Sequence, residues 1–108
     1  MLFLIDFHGT ITNNPTLYTA RWKEVIKRLP AVTIWSGDPE GIPDDWKAFF
    51  SEHEIDIVDK GAFDYNRLGL AGAIVIDDEP SILAMVVRKG AIAVPAAWAG
   101  AFFNFLGV

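Results

Sequence analysis

Leu2-Phe3-Leu4-Ile5-Asp6-Phe7-His8-Gly9-Thr10 is an apolar run that ends on a carboxylate and turns at a glycine. Ile74-Val75-Ile76-Asp77-Asp78-Glu79-Pro80 repeats that arrangement far downstream. A short apolar run bounded by acidic and turn-forming residues describes a strand buried on both faces, and such strands belong to parallel sheets covered by helices. Both acidic loops then lie at carboxyl ends of strands, where doubly wound sheets bind their ligands. Carboxylates gathered there suit a hard divalent cation, and the cation in turn suits a phosphate.

The same alternation runs through the chain. Strands are predicted near residues 2–6, 31–35, 55–59, 73–77 and 91–94. Between the first two, Tyr18, Trp22, Val25, Ile26 and Leu29 recur at helical spacing and Pro30 ends the helix. A second helix starts at Pro43, with Asp44 and Asp45 in its first turn and Trp46, Phe49 and Phe50 toward the core. Residues 63–70 predict a short helix. Pro80 with Ile82, Leu83, Val86 and Val87 predicts another, ended near Gly90, and Trp98, Phe102, Phe105 and Leu106 predict a last one. With 108 residues, no repeat and no linker-like stretch, the chain 1–108 reads as one α/β domain with one core.

Composition narrows the function. A net charge of -5 and a pI near 4.8 oppose nonspecific nucleic-acid binding, which needs a basic footprint. With 52% hydrophobic residues and a mean hydropathy of +0.29, disorder is excluded. The chain has no cysteine, so it has neither disulfides nor a thiolate metal site, and the default expectation is a cytoplasmic location. Residues 2–5 lack a basic flank and are cut off by Asp6, which reads as a strand and not as a signal peptide. Residues 91–108 carry no charge, but Pro95, Gly100, Asn104 and Gly107 interrupt them, so strand plus terminal helix is expected and no membrane span. Exposed aromatics on that last helix would offer a homodimer contact.

The polar residues at strand ends follow a definite order: Asp6 with Gly9-Thr10, then Ser36 in Thr33-Ile34-Trp35-Ser36-Gly37, then Lys60, then Asp77-Asp78. This order resembles the four motifs of the haloacid dehalogenase (HAD) superfamily across nearly the whole chain. The resemblance implies a HAD-like Rossmannoid three-layer α/β/α sandwich with a five-stranded parallel sheet. It also implies a Mg²⁺-dependent phosphohydrolase in which Asp6 attacks phosphorus and forms an aspartyl phosphate. Mg²⁺ would be shared by Asp6, the backbone carbonyl of His8, and Asp78, with Asp77 behind them. Ser36 would donate to a phosphoryl oxygen and Lys60 would supply a fixed positive charge. The substrate would be a phosphorylated small molecule or macromolecule.

One position departs from that pattern. His8 stands where the family's phosphatases carry a second aspartate, the general acid and base, whose work is typically worth about 10² to 10⁴ in rate. Imidazole can transfer protons near neutrality, so the expectation is slow or specialised hydrolysis. The alternative is a catalytically silent HAD-like domain that binds metal, phosphate or a protein partner. About one helix fits between Asp6 and Ser36 and a short one between Lys60 and Asp77, which leaves no room for a cap domain and an open site.

Blander readings stand beside these. Asp6 and Gly9-Thr10 suit an ordinary strand end and turn, and Asp77-Asp78-Glu79-Pro80 suits the acidic start of a helix. Ser36 and Lys60 taken singly are a turn residue and a solvated lysine, and His53 between Glu52 and Glu54 belongs on the surface. Residues 76–83 also resemble the first acidic loop of a response-regulator receiver. There the acceptor aspartate and lysine follow the acidic pair, an order this chain matches only if permuted.

Overall fold

Five strands, β1 (Phe3–Asp6), β2 (Val32–Ser36), β3 (Asp56–Asp59), β4 (Ile74–Asp77) and β5 (Ile92–Pro95), pair in the order β3-β2-β1-β4-β5, all parallel. They belong to a computed structural model that describes residues 1–62 and 70–108. Each strand lies within one residue of its predicted position because β1 and β4, buried at every residue, could be written only as apolar runs. The helix predicted over 63–70 falls on residues 63–69, outside the described residues, except for Leu70.

Among the described residues, four α-helices flank the sheet: α1 (Thr19–Arg28), α2 (Asp44–Glu52), α3 (Pro80–Arg88) and α4 (Ala99–Leu106). Leu29 leaves α1 in an extended conformation, as the residue before Pro30 must, and its N–H closes on the Ile26 carbonyl. Pro43 opens α2 and Pro80 opens α3, where a missing N–H costs nothing. Gly90 and Gly107 end α3 and α4 with positive φ, and the Ala91 and Val108 N–H groups reach back to the Val86 and Phe103 carbonyls.

Alternate strand residues face opposite layers. Phe3, Ile5, Ile34, Ile74, Ile76 and Val94 pack with Trp22, Val25 and Ile26 of α1, Trp46, Phe49 and Phe50 of α2, and Phe103 of α4. Leu4, Trp35 and Val75 pack on the other face with Ile82, Met85 and Val86 of α3. Helices thus cover both sides of the sheet, and no helix among the described residues is long and apolar enough to cross a membrane.

Two aromatic residues differ from the periodicity argument. Tyr18 lies before α1, extended and 72% exposed, because its phenol lets it stay wet where Trp22 cannot. Trp98 ends a 3₁₀ turn (Ala96–Trp98) ahead of α4 and is 68% exposed.

Candidate active site at the carboxyl ends of β1 and β4

The strand order reverses at β1: the chain runs from β1 outward to β2 and β3, then returns to β4 on the other side. The register Ile5↔Ile76 brings the next residues, Asp6 and Asp77, to the same level across this switch point. Both carboxylates are buried, at 3% and 0% exposure. Burying charge is costly unless it is paired, and Lys60 supplies the pairing.

Lys60 follows β3, two strands away from β1. Its side chain crosses above the Trp35 ring, 5.1 Å from the centroid, and ends between the two acids. Nζ donates to Asp6 Oδ1 at 2.8 Å and to Asp77 Oδ2 at 2.5 Å. The other Asp6 oxygen, Oδ2, accepts the hydroxyl of fully buried Thr10 at 2.9 Å. Asp77 Oδ1 accepts the Glu79 N–H at 3.0 Å. Every oxygen of the two buried acids is therefore held.

Asp78 differs from both. It is exposed, and among the described residues its carboxylate accepts no hydrogen bond. It lies over Gly9, where a Cβ would sit 2.2 Å from Asp78 Oδ2. Gly9 also has φ +81°, so the turn after β1 needs glycine for its backbone and for the approach of Asp78. The Phe7 carbonyl accepts from the Thr10, Ile11 and Thr12 N–H groups and tightens the same turn.

One oxygen from each of Asp6, Asp77 and Asp78 lies within 4.8 Å of the others. Among the described residues, three carboxylates share one ammonium. Burial pushes Asp6 up to about 7, with the Lys60 hydrogen bond opposing and the Asp77 charge reinforcing the shift. Burial likewise raises Asp77, against Lys60 and the Glu79 N–H. Burial alone would lower Lys60, but its two carboxylate partners outweigh that and raise it. An all-oxygen donor set with uncompensated negative charge fits a hard divalent cation. Asp6, Asp77 and Asp78 could each offer it an oxygen.

The cleft above the cluster, about 300 Å³, is open and is lined by Asp6, His8, Gly37, Asp38, Lys60, Asp78 and Glu79. His8 is half-buried with its ring edge against Phe7 and its Nε2 donating to the Asp38 carbonyl at 2.9 Å. That bond fixes the proton on Nε2 and leaves Nδ1 as the basic atom. Ser36, at the end of β2, is fully buried. Its Oγ accepts the Asp38 N–H at 3.0 Å, so it bears on the cleft through the Gly37–Asp38 turn it braces. His53 is exposed at the end of α2, away from the site, with its ring against Phe49.

Asn14 belongs to none of the four motifs, yet it fastens the β1 loop. Its amide donates to the Thr10 carbonyl at 2.7 Å and to the Ala96 carbonyl at 2.9 Å. Its oxygen accepts from the Thr16 N–H, the Thr16 hydroxyl and the Leu17 N–H. Asn14 thereby ties the residue that holds Asp6 to the segment after β5. Asn14-Pro15-Thr16 is a local Asx-turn signature, but its bond to Ala96 spans 82 residues.

Set against family models, curated proteins and solved structures, the chain matches none.

Proposed function

We propose that this chain is a capless HAD-like phosphohydrolase that uses Mg²⁺ and forms an aspartyl phosphate on Asp6. The observation that carries the proposal is the meeting of Asp6, Lys60, Asp77 and Asp78 in one cleft, from segments separated by as many as 72 residues (78 minus 6). The order of those residues along the chain, with Ser36 between them, supports the same reading.

Asp6, Asp78 and the His8 carbonyl would hold the cation, which would supply charge neutralisation between a carboxylate and a phosphate dianion that otherwise repel. Asp6 does the bond-making. One of its oxygens attacks phosphorus as the P–O bond to the leaving group breaks, and Lys60 and Thr10 hold the carboxylate in a fixed orientation meanwhile. Lys60 also places a positive charge beside the transferring group, and Asp77 anchors its ammonium. Water then attacks the aspartyl phosphate, releasing phosphate and restoring Asp6. The imidazolium form of His8 would give its Nδ1 proton to the leaving oxygen in the first step, and the neutral Nδ1 would take the water's proton in this one, restoring the imidazolium. Ser36 orders the Gly37–Asp38 turn at the cleft and was the donor expected for a phosphoryl oxygen. The open cleft suits phosphate on a small molecule or on a macromolecule.

One observation favours the second reading, a silent domain that binds metal, phosphate or a protein partner: the His8 ring is tethered to Asp38 through Nε2. Hydrolysis of an aryl phosphate in Mg²⁺ separates the two. Slow turnover by the wild type, none by Asp6→Asn and faster turnover by His8→Asp are expected. A wild type without activity whose His8→Asp variant hydrolyses the ester favours the silent domain. Equal rates in wild type and Asp6→Asn refute Asp6 as the nucleophile.

A further inference from the structure

The two edges of the sheet are finished differently. At the β3 edge Asp56 and Asp59 are exposed, the charge that commonly keeps an open edge from pairing with another chain. The β5 edge has no charged residue, and its Ile92 is 52% exposed. Beside it lies α4, whose inner face is buried through Ala99, Gly100 and Phe103. A second apolar stripe, Trp98, Ala101, Phe102 and Phe105, runs along the helix at intervals of three and four. Trp98 is 68% exposed and Phe105 86%. A helix apolar on both faces ordinarily has both covered.

Between β5 and this stripe is a groove of about 380 Å³, lined by Ile92, Ala93, Val94, Trp98, Ala101 and Phe102. We infer that this face binds a second copy of the same chain in an isologous dimer, with Phe105 of each protomer entering the groove of its partner. Two-fold pairing needs a patch that carries both a projection and a matching recess, and this patch has both.

Charge permits this occupant. Copies that each carry -5 repel one another over most approaches, but residues 91–108 contain no charge to oppose contact. The same absence of Lys and Arg argues against an anionic lipid surface, which such segments reach through basic residues. The area is adequate. Large aromatics cover about 150–250 Å² each, so Trp98, Phe105, Ile92 and Leu106 at their exposures offer on the order of 500 Å² per protomer, or about 1,000 Å² in the pair, the lower bound for a specific interface.

Sedimentation velocity over a concentration series tests this inference independently of any phosphatase activity. The wild type is expected to dimerise by about 100 µM, and Phe105→Glu to weaken the dimer about 30-fold or more, as loss of an aromatic anchor does. Phe105 is too exposed for the substitution to unfold the chain, which an unchanged thermal melt would verify. In this cysteine-free protein, the double variant Ile92→Cys with Phe105→Cys is expected to form interchain disulfides under mild oxidation. A wild type that remains monomeric at about 100 µM overturns the inference. So does a dimer indifferent to Phe105→Glu, or a monomer that floats with neutral phosphatidylcholine vesicles.

Discussion

The cleft at β1 and β4 and the apolar face at β5 and α4 divide the chemistry of this small protein between them. The first gathers three carboxylates around one ammonium and buries two of them. The second is built from residues 91–108, which bear no charge at all. A whole-chain charge of -5 describes neither region. Under-compensated charge in a buried place calls for a cation, whereas uncompensated apolar surface calls for a protein neighbour. Asn14 joins the two regions, because one amide holds both the Thr10 carbonyl and the Ala96 carbonyl.

The largest effect belongs to the charged side. Asp6→Asn removes the proposed nucleophile, and Mg²⁺-dependent hydrolysis of an aryl phosphate should fall by about 10³-fold or more, to the level of a blank. Lys60→Met leaves Asp6 and Asp77 facing each other without their shared cation. It should cost about 10²-fold in kcat and also lower the melting temperature, which would separate it from a purely catalytic loss. His8→Asp should raise turnover by about 10²-fold, the lower end of general acid and base catalysis, as read in single-turnover kinetics.

Smaller shifts probe how the regions hold together. Asn14→Ala removes five hydrogen bonds, to the Thr10 and Ala96 carbonyls and from three donors of Thr16 and Leu17, and chemical denaturation should show a loss of about 2 kcal/mol. The pH dependence of the metal-free protein follows from Asp6. Its carboxyl is pushed up to about 7 by burial. Between the ordinary carboxylate range and that value, the folded chain holds a proton that the unfolded chain has released. Stability is therefore greatest at the acidic end of this window and falls as the pH rises through it, and the raised Asp77 adds the same sign. Asp6→Asn should flatten the fall in thermal melts taken between about pH 5 and 8. Mg²⁺ should reverse the loss in the wild type alone.

Much of this was legible in the sequence because buried strands admit few residue types. The five strands and the helices opened by Pro43 and Pro80 follow from apolar runs and prolines. The order Asp6, Lys60, Asp77 and Asp78 also reads directly, since each residue ends or follows a strand. What did not read were contacts set by packing across the fold. The His8 bond to Asp38 spans 30 residues and depends on the adjacency of β1 and β2. Ser36 was expected to face substrate, but its burial as a brace for the next turn depends on side-chain direction, which spacing does not encode. Tyr18 matched the helical period and still lies outside α1, because amphipathic residues satisfy an apolar pattern without being buried.

We propose that the cleft between β1 and β4 holds one divalent cation through Asp6 and Asp78. Titration with Mn²⁺ followed by electron paramagnetic resonance measures this without reference to turnover. The wild type should bind a single Mn²⁺ that Mg²⁺ displaces, and Asp6→Asn and Asp78→Asn should each abolish that binding. Equal Mn²⁺ binding by the wild type and both variants, or none by the wild type, would contradict it.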